Sequence, residues 1–161
     1  MKHIISALVE NKPGVLAHVA GMFAARAFNI DSLVVGRTED PKLSRMTIVV
    51  VGDDRVLEQV RKQLERLIPV VKVQDFAGKP VVARDLMLIT ISAVPDRRPE
   101  ILTLIEMFKG KVVDIGQKFI MVEVSGPEEK IEAFIEMCKP YGIKNVARTG
   151  TIAVPRQAKE T

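Results

Sequence analysis

Apolar residues come along this chain in short runs of two kinds, and the change from one kind to the other marks out the elements. Residues 2 to 9 fill both alternate sets, with Ile5, Ala7 and Val9 on one side and Ile4 and Leu8 on the other. A strand with so little polar surface is central in its sheet or covered on both faces. From 13 to 28 the spacing becomes three and four, placing Val15, Leu16, Val19, Met22, Phe23 and Ala27 on a helical stripe. Residues 30 to 37 read as a second strand, ending in the polar turn Thr38-Glu39-Asp40-Pro41-Lys42, and Met46 to Val51 as a third, antiparallel to it. Asp53 or Asp54 caps a helix with the stripe Val56-Leu57, Val60, Leu64 and Leu67; Pro69 stops it, and Val70 to Phe76 is a fourth strand.

The order repeats after Gly78-Lys79-Pro80. Leu86 to Val94 is a strand, and Asp96 with Pro99 opens a helix carrying Ile101, Leu104, Ile105 and Phe108. Lys111 to Ile115 and Phe119 to Val124 are strands separated by Gly116-Gln117. Ser125-Gly126-Pro127-Glu128-Glu129 starts a helix with Ile131, Phe134, Ile135 and Cys138 inward. Pro140 and Gly142 end it before a strand at about Ile143 to Ala147, and the sequence after Val154 reads as a frayed tail. The fold class is therefore α+β: two tandem ferredoxin-like βαββαβ sandwiches, residues 1–77 and 84–161, joined by a linker at 78–83. Such a sandwich leaves one sheet face without helices. Strands such as Met46-Thr47-Ile48-Val49-Val50-Val51 are apolar on that face too, which predicts a cover from the other domain or a second chain, hence a homodimer.

Composition narrows the possible activities. With 47% hydrophobic residues in 161, the chain can bury a core, while 4% aromatics and no Trp disfavour a base-stacking surface. The net charge of +4 is spread among 20 acids instead of gathered into basic blocks, so no nucleic-acid partner is expected. No apolar run nears the roughly 20 residues that span a bilayer, and Met1-Lys2-His3 leads straight into a strand, so a cytoplasmic protein without membrane partner is expected. Cys138 is alone on an apolar helix face, and His3 and His18 have no second ligand at metal spacing. Ser6, Ser32, Ser44, Ser92 and Ser125 lack the glycine flanks of a nucleophile elbow. Gly78-Lys79-Pro80 lacks the remainder of a phosphate loop, and Asp53-Asp54 and Glu128-Glu129 sit where helix caps belong.

A binding turn remains. In Leu8-Val9-Glu10-Asn11-Lys12-Pro13-Gly14-Val15-Leu16 a strand breaks at a polar triplet and Pro13-Gly14 opens a helix. Asn11 is placed to cap that helix or to reach a ligand, and Gly14 leaves the free N–H groups of the helix start open to a small anion such as a carboxylate. The same residues would also serve simply to begin a helix. Of the three Asn residues, Asn11 and Asn29 bracket this helix. Asn29 follows Phe28 at the helix end, where Asn tolerates a left-handed cap. Their amides suit the ammonium and carboxylate of a zwitterion. At about 1.5 Å per residue the two lie about 25 Å apart in one chain. They can share a ligand only if they come from two chains.

The opening stretch, with Arg26-Ala27-Phe28-Asn29-Ile30-Asp31-Ser32-Leu33, resembles the ACT domain of the small regulatory subunit of acetohydroxyacid synthase, also called acetolactate synthase. Ser44-Arg45-Met46-Thr47, Arg84-Asp85-Leu86, Phe108-Lys109-Gly110-Lys111-Val112-Val113-Asp114-Ile115 and Ala147-Arg148-Thr149-Gly150 extend the resemblance over nearly the whole chain. It implies a non-catalytic subunit that binds and activates a large catalytic subunit and makes it sensitive to valine or another branched-chain amino acid. No cofactor is implied in this chain, whereas thiamine diphosphate, Mg and FAD are expected on the catalytic subunit. Carried over, the valine site sets Asn11, Gly14, Val15 and Leu16 of one chain opposite Asn29 and Ile30 of another, with Val15, Leu16 and Ile30 around the aliphatic group. His18 stands where such proteins often have Arg, and Ala27-Phe28 where Gly-Tyr is common. These departures bear on the choice among valine, leucine and isoleucine, since one methylene is worth only about 1 to 3 kcal/mol. A stand-alone ACT sensor of another enzyme would share the same turn. A ferredoxin-like nucleic-acid binder has only the basic balance in its favour, and a small enzyme would need a catalytic set that the sequence does not supply.

Overall fold

A computed structural model describes residues 1–157. It divides into two compact units, one from Met1 to Val82 with the segment that starts at Thr151, the other from Ala83 to Gly150. In the first, β1 (Lys2–Glu10), β2 (Asn29–Arg37), β3 (Leu43–Val51) and β4 (Val70–Asp75) form an antiparallel sheet in the order β2-β3-β1-β4. Helices α1 (Val15–Ala25) and α2 (Asp54–Glu65) complete the βαββαβ unit. The strands are built as the alternation demands. Ile5, Ala7 and Val9 of β1 meet Met46, Ile48 and Val50 of β3, and the helix stripes Val19-Met22-Phe23 and Leu57-Val60-Leu64 close over them. On the other face Ser6, Thr47 and Val49 are buried as well. Asp53 is the cap of α2, its Oδ1 accepting from the Val56 N–H at 3.0 Å. The buried His3 ring is tied by Nε2 to the Gly52 carbonyl, 3.1 Å away.

The second unit repeats the plan with β5 (Val81–Ser92), α3 (Arg98–Met107), β6 (Lys111–Ile115), β7 (Phe119–Gly126), α4 (Glu128–Cys138) and β8 (Ile143–Arg148), in the sheet order β6-β7-β5-β8. Its core joins Met87, Ile89 and Ile91 to Ile120, Val122 and Val124 under Ile101, Leu104, Ile131 and Phe134. Cys138 lies in this core, and burial pushes its thiol up to about 12. Where the unit opens and closes, the buried Asp85 carboxylate receives Arg148 through Nε at 3.0 Å and Nη2 at 2.6 Å, with the Thr149 hydroxyl at 3.3 Å. Arg148 Nη1 reaches Glu132 on α4 at 2.6 Å. The Arg84-Asp85-Leu86 and Ala147-Arg148-Thr149-Gly150 blocks are thus two halves of one polar clasp.

Several expected boundaries move. The first helix runs from Val15 to Ala25, not 13 to 28, because Gly14 and Ala27 take left-handed backbone, φ +84° and +53°. The stretch expected as a linker, 78–83, already enters β5 at Val81. Past Gly150 the chain forms one more strand, β9 (Ile152–Pro155), which pairs with β5 and runs into the start of the expected tail. Arg156 continues the attachment, its N–H donating to the Pro80 carbonyl at 2.9 Å. The physical reason is alternation, since Thr151 and Ala153 are buried while Ile152 and Val154 face outward. The end of the expected tail, 158–161, lies outside the described residues.

Candidate functional site

β1 ends at Glu10, and the chain crosses to α1 through a turn held by the loop between β2 and β3. The Asn11 N–H donates to the Lys42 carbonyl at 2.8 Å, and Asn11 Nδ2 donates to the Pro41 carbonyl at 3.0 Å. The loop that receives them keeps its own shape, with Asp40 Oδ1 accepting the Lys42 N–H at 2.9 Å and the Thr38 hydroxyl donating to the Asp40 carbonyl at 3.0 Å. Asn11 therefore does not cap α1. It anchors the turn, and its amide oxygen has no partner among the described residues. Glu10, Asn11, Asp40, Pro41, Leu43 and Val71 line a cleft of about 440 Å3 beside it.

Gly14, and not Pro13, is the residue at the N-cap of α1. An added Cβ there would meet nothing within 4 Å, so glycine is required by the backbone angle and not by crowding. Among the described residues no side chain caps this helix, and its first turn holds no acid. Of the opening amides, that of Val15 donates to the Lys12 carbonyl at 3.4 Å, and the helix start carries the positive end of the dipole. The Val15 side chain is buried in its own core beside Val19, Met22 and Phe23. Helical spacing puts it on the inner stripe, whereas Leu16 is exposed and can meet a ligand with its side chain.

Asn29 and Ile30 open β2. The left-handed helix exit falls on Ala27, not on Asn29, and Phe28 packs edge-on against Phe23 with ring centroids 5.9 Å apart. That contact turns the chain so that Asn29 stands exposed at the strand start, while Ile30 is half-buried against the core. Asn29 pairs with Val51 and Val51 with Lys2, so Asn29 is level with the beginning of β1, whereas Asn11 lies beyond its end. The nine residues of β1 span roughly 27 Å at about 3.3 Å each. The structure thus brings Asn11, Gly14 and Leu16 together at one end of the sheet and places Asn29 and Ile30 at the other. Sequence reasoning missed Pro41 and Lys42 as the clamp on Asn11; the sequence signal was the turn chemistry of Thr38-Glu39-Asp40-Pro41, which bounds where that loop folds back.

Among the described residues no three His, Cys, Asp or Glu side chains converge where a metal ion could sit, and no helix is long and apolar enough to cross a membrane.

Residues 5–72 match the model of the AHAS small subunit-like ACT domain, and residues 84–157 match that of the small subunit of acetolactate synthase. A protein of Archaeoglobus fulgidus named "Probable acetolactate synthase small subunit" is 52% identical over 160 residues, covering 99% of this chain and 100% of its own. The acetolactate synthase small subunit of Bacillus subtilis is 45% identical over 161 residues, 99% of this chain and 94% of its own. Among solved structures, that of the acetolactate synthase small subunit from Thermotoga maritima superposes with a TM-score of 0.91 at 41% identity, over 98% of this chain and 99% of that one. With a glycine-opened helix in the first βαββαβ unit, a second such unit after it in sequence, and this likeness over both, the chain belongs to the family of acetolactate synthase small subunits.

Proposed function

We propose that this chain is the regulatory subunit of an acetohydroxyacid synthase in branched-chain amino-acid biosynthesis, working in the cytoplasm. It carries no catalytic group of its own, binds and activates the large thiamine-diphosphate-dependent subunit, and makes that subunit subject to feedback by valine held between two copies. The observation that supports the shared site is the separation of roughly 27 Å between the Asn11 turn and Asn29, too far for one small ligand within a chain. In a twofold pair the turn of one chain faces the strand start of its partner. The ligand carboxylate takes the N–H groups of Gly14 and Leu16, with Val15 standing between them and its own N–H on the Lys12 carbonyl. Asn11 and Asn29 hold the ammonium, and the Leu16 and Ile30 side chains enclose the aliphatic branch.

Regulation follows from linkage. A ligand shifts a conformational equilibrium only as far as its affinities for the two states differ, and a site split between chains exists only in the arrangement that brings both halves together. Valine then favours that arrangement, and the second unit relays the preference to the catalytic subunit.

The test is calorimetry with Gly14→Asp, which sets a carboxylate against the bound one. Loss of valine binding is the expected result, with the fold checked by circular dichroism because Gly14 has φ +84°, and unchanged affinity would show that the site is elsewhere. Catalytic-subunit activity measured with and without this chain, across a valine titration, tests activation and feedback together.

A further inference from the structure

A second concave surface lies between the two helices of the first unit. α1 and α2 leave between them a groove of about 380 Å3 lined by His18, Gly21, Arg26, Gln63, Arg66 and Leu67. Its polar groups are two guanidiniums, an imidazole and an amide, with no carboxylate on its walls. Several other cations are matched with acids: Arg61 with Glu65 at 2.9 Å and Lys62 with Glu58 at 2.9 Å on α2, Lys139 with Glu136, and Arg148 of β8 with Asp85 and Glu132. Arg26 and Arg66 have no ion pair among the described residues, and each stands at the C-cap of its helix.

Gly21 also lines the groove. It sits within α1, where glycine costs about 1 kcal/mol relative to alanine. A Cβ at this position would meet nothing within 4 Å, so neither packing nor backbone angle asks for glycine. Gly21 adds no side chain to the groove that Arg26 and Arg66 also line. A guanidinium presents a planar fork of donors matched to carboxylates, and two such forks on one groove define a receptor for anionic groups carried on a protruding segment.

We propose that the α1/α2 groove is the surface on which this chain receives an acidic segment of the catalytic subunit, with Arg26 and Arg66 as the anchoring charges and His18 and Gln63 as further polar contacts. The proposal rests on the regulatory-subunit reading above. It assigns the grip on the partner to the helical face and leaves the amino-acid site at the sheet ends, so that one unit serves both functions on separate surfaces.

The experiment uses the full chain with Arg26→Glu and Arg66→Glu combined, checked for an unchanged circular dichroism spectrum and melting temperature, and titrated against the catalytic subunit with activation as the readout. The expected result is at least tenfold weaker association together with a smaller salt dependence, while valine binding by calorimetry stays within twofold. A milder pair, Arg26→Gln with Arg66→Gln, gives an intermediate loss and guards against misfolding of the reversed variant. Association within twofold of the unaltered chain overturns the groove. So does a groove that instead takes inorganic phosphate, seen as a phosphate-dependent rise in melting temperature that the variant loses while subunit binding is kept. If the unaltered chain fails to associate at all, it is the regulatory-subunit reading that falls.

Discussion

Removing the Asp85 carboxylate should destabilise the second unit by about 3 kcal/mol, and the clasp it belongs to shows why. Asp85 is 2% exposed and accepts from Arg148 twice and from Thr149 once. Deleting one partner of a buried charge pair costs about 3 to 5 kcal/mol, because the remaining charge is left without compensation. The low end applies to Asp85→Ala, since the Arg148 side chain is 30% exposed and keeps Glu132, while Thr149 keeps the Gly150 carbonyl at 2.7 Å. For a unit of this size a loss of about 3 kcal/mol lowers the melting temperature by about 12 to 24 °C. The assay is simple to interpret, because the chain has no Trp and Tyr141 is its one Tyr, so tyrosine fluorescence reports the second unit. Arg148→Ala and the double variant complete a cycle whose coupling should exceed about 1 kcal/mol. A fall in stability below about 1 kcal/mol for Asp85→Ala, or a double variant whose loss is the plain sum of the singles, would refute the clasp.

Other outcomes rest on single contacts. The Cys138 thiol, raised to about 12 by burial, should react with a disulfide reagent at pH 8 only on unfolding. Because its ordinary value of 9.0 is lower, the unfolded chain loses the proton first, so stability contributed below pH 9 should decline between pH 9 and 12; a flat melting temperature across that range would contradict this. Asp53→Ala removes the α2 cap and should cost about 1 kcal/mol in chemical denaturation, with Asp53→Asn recovering most of it. Ser32 Oγ is shielded and has no partner among the described residues, so Ser32→Ala should leave the chain as stable or more so; a loss above about 1 kcal/mol would mean that the hydroxyl is satisfied in the assembled protein.

How much of the structure was legible in the sequence depended on how local each cause was. Both βαββαβ units were legible because the periods of two and three-to-four are strong in stretches such as 2–9 and 56–64. Ends were less so. Ala27 adopts a left-handed backbone through the Phe28–Phe23 contact, which no local propensity announces, and β9 is four residues long and exists by pairing with a strand far away in sequence. At the candidate site, Gly14 was readable as the start of a helix, since Pro13-Gly14 stands directly before an apolar stripe at helical spacing. The role of Asn11 was not, since its partners Pro41 and Lys42 come near only when β1 and β3 pair. The burial of the Val15 side chain was legible, because the spacing of three and four already put it on the apolar stripe of the first helix.

The placement of Asn11 and Asn29 at opposite ends of one sheet has a genetic corollary. Under the proposed twofold pairing, every dimer contains two identical pockets, each drawing its turn from one copy and its strand start from the other. A strain making only a copy defective at Gly14 and a strain making only a copy defective at Asn29 should both escape feedback. Expressed together, the two defective forms restore one whole pocket in each mixed dimer, and inhibition should return by complementation.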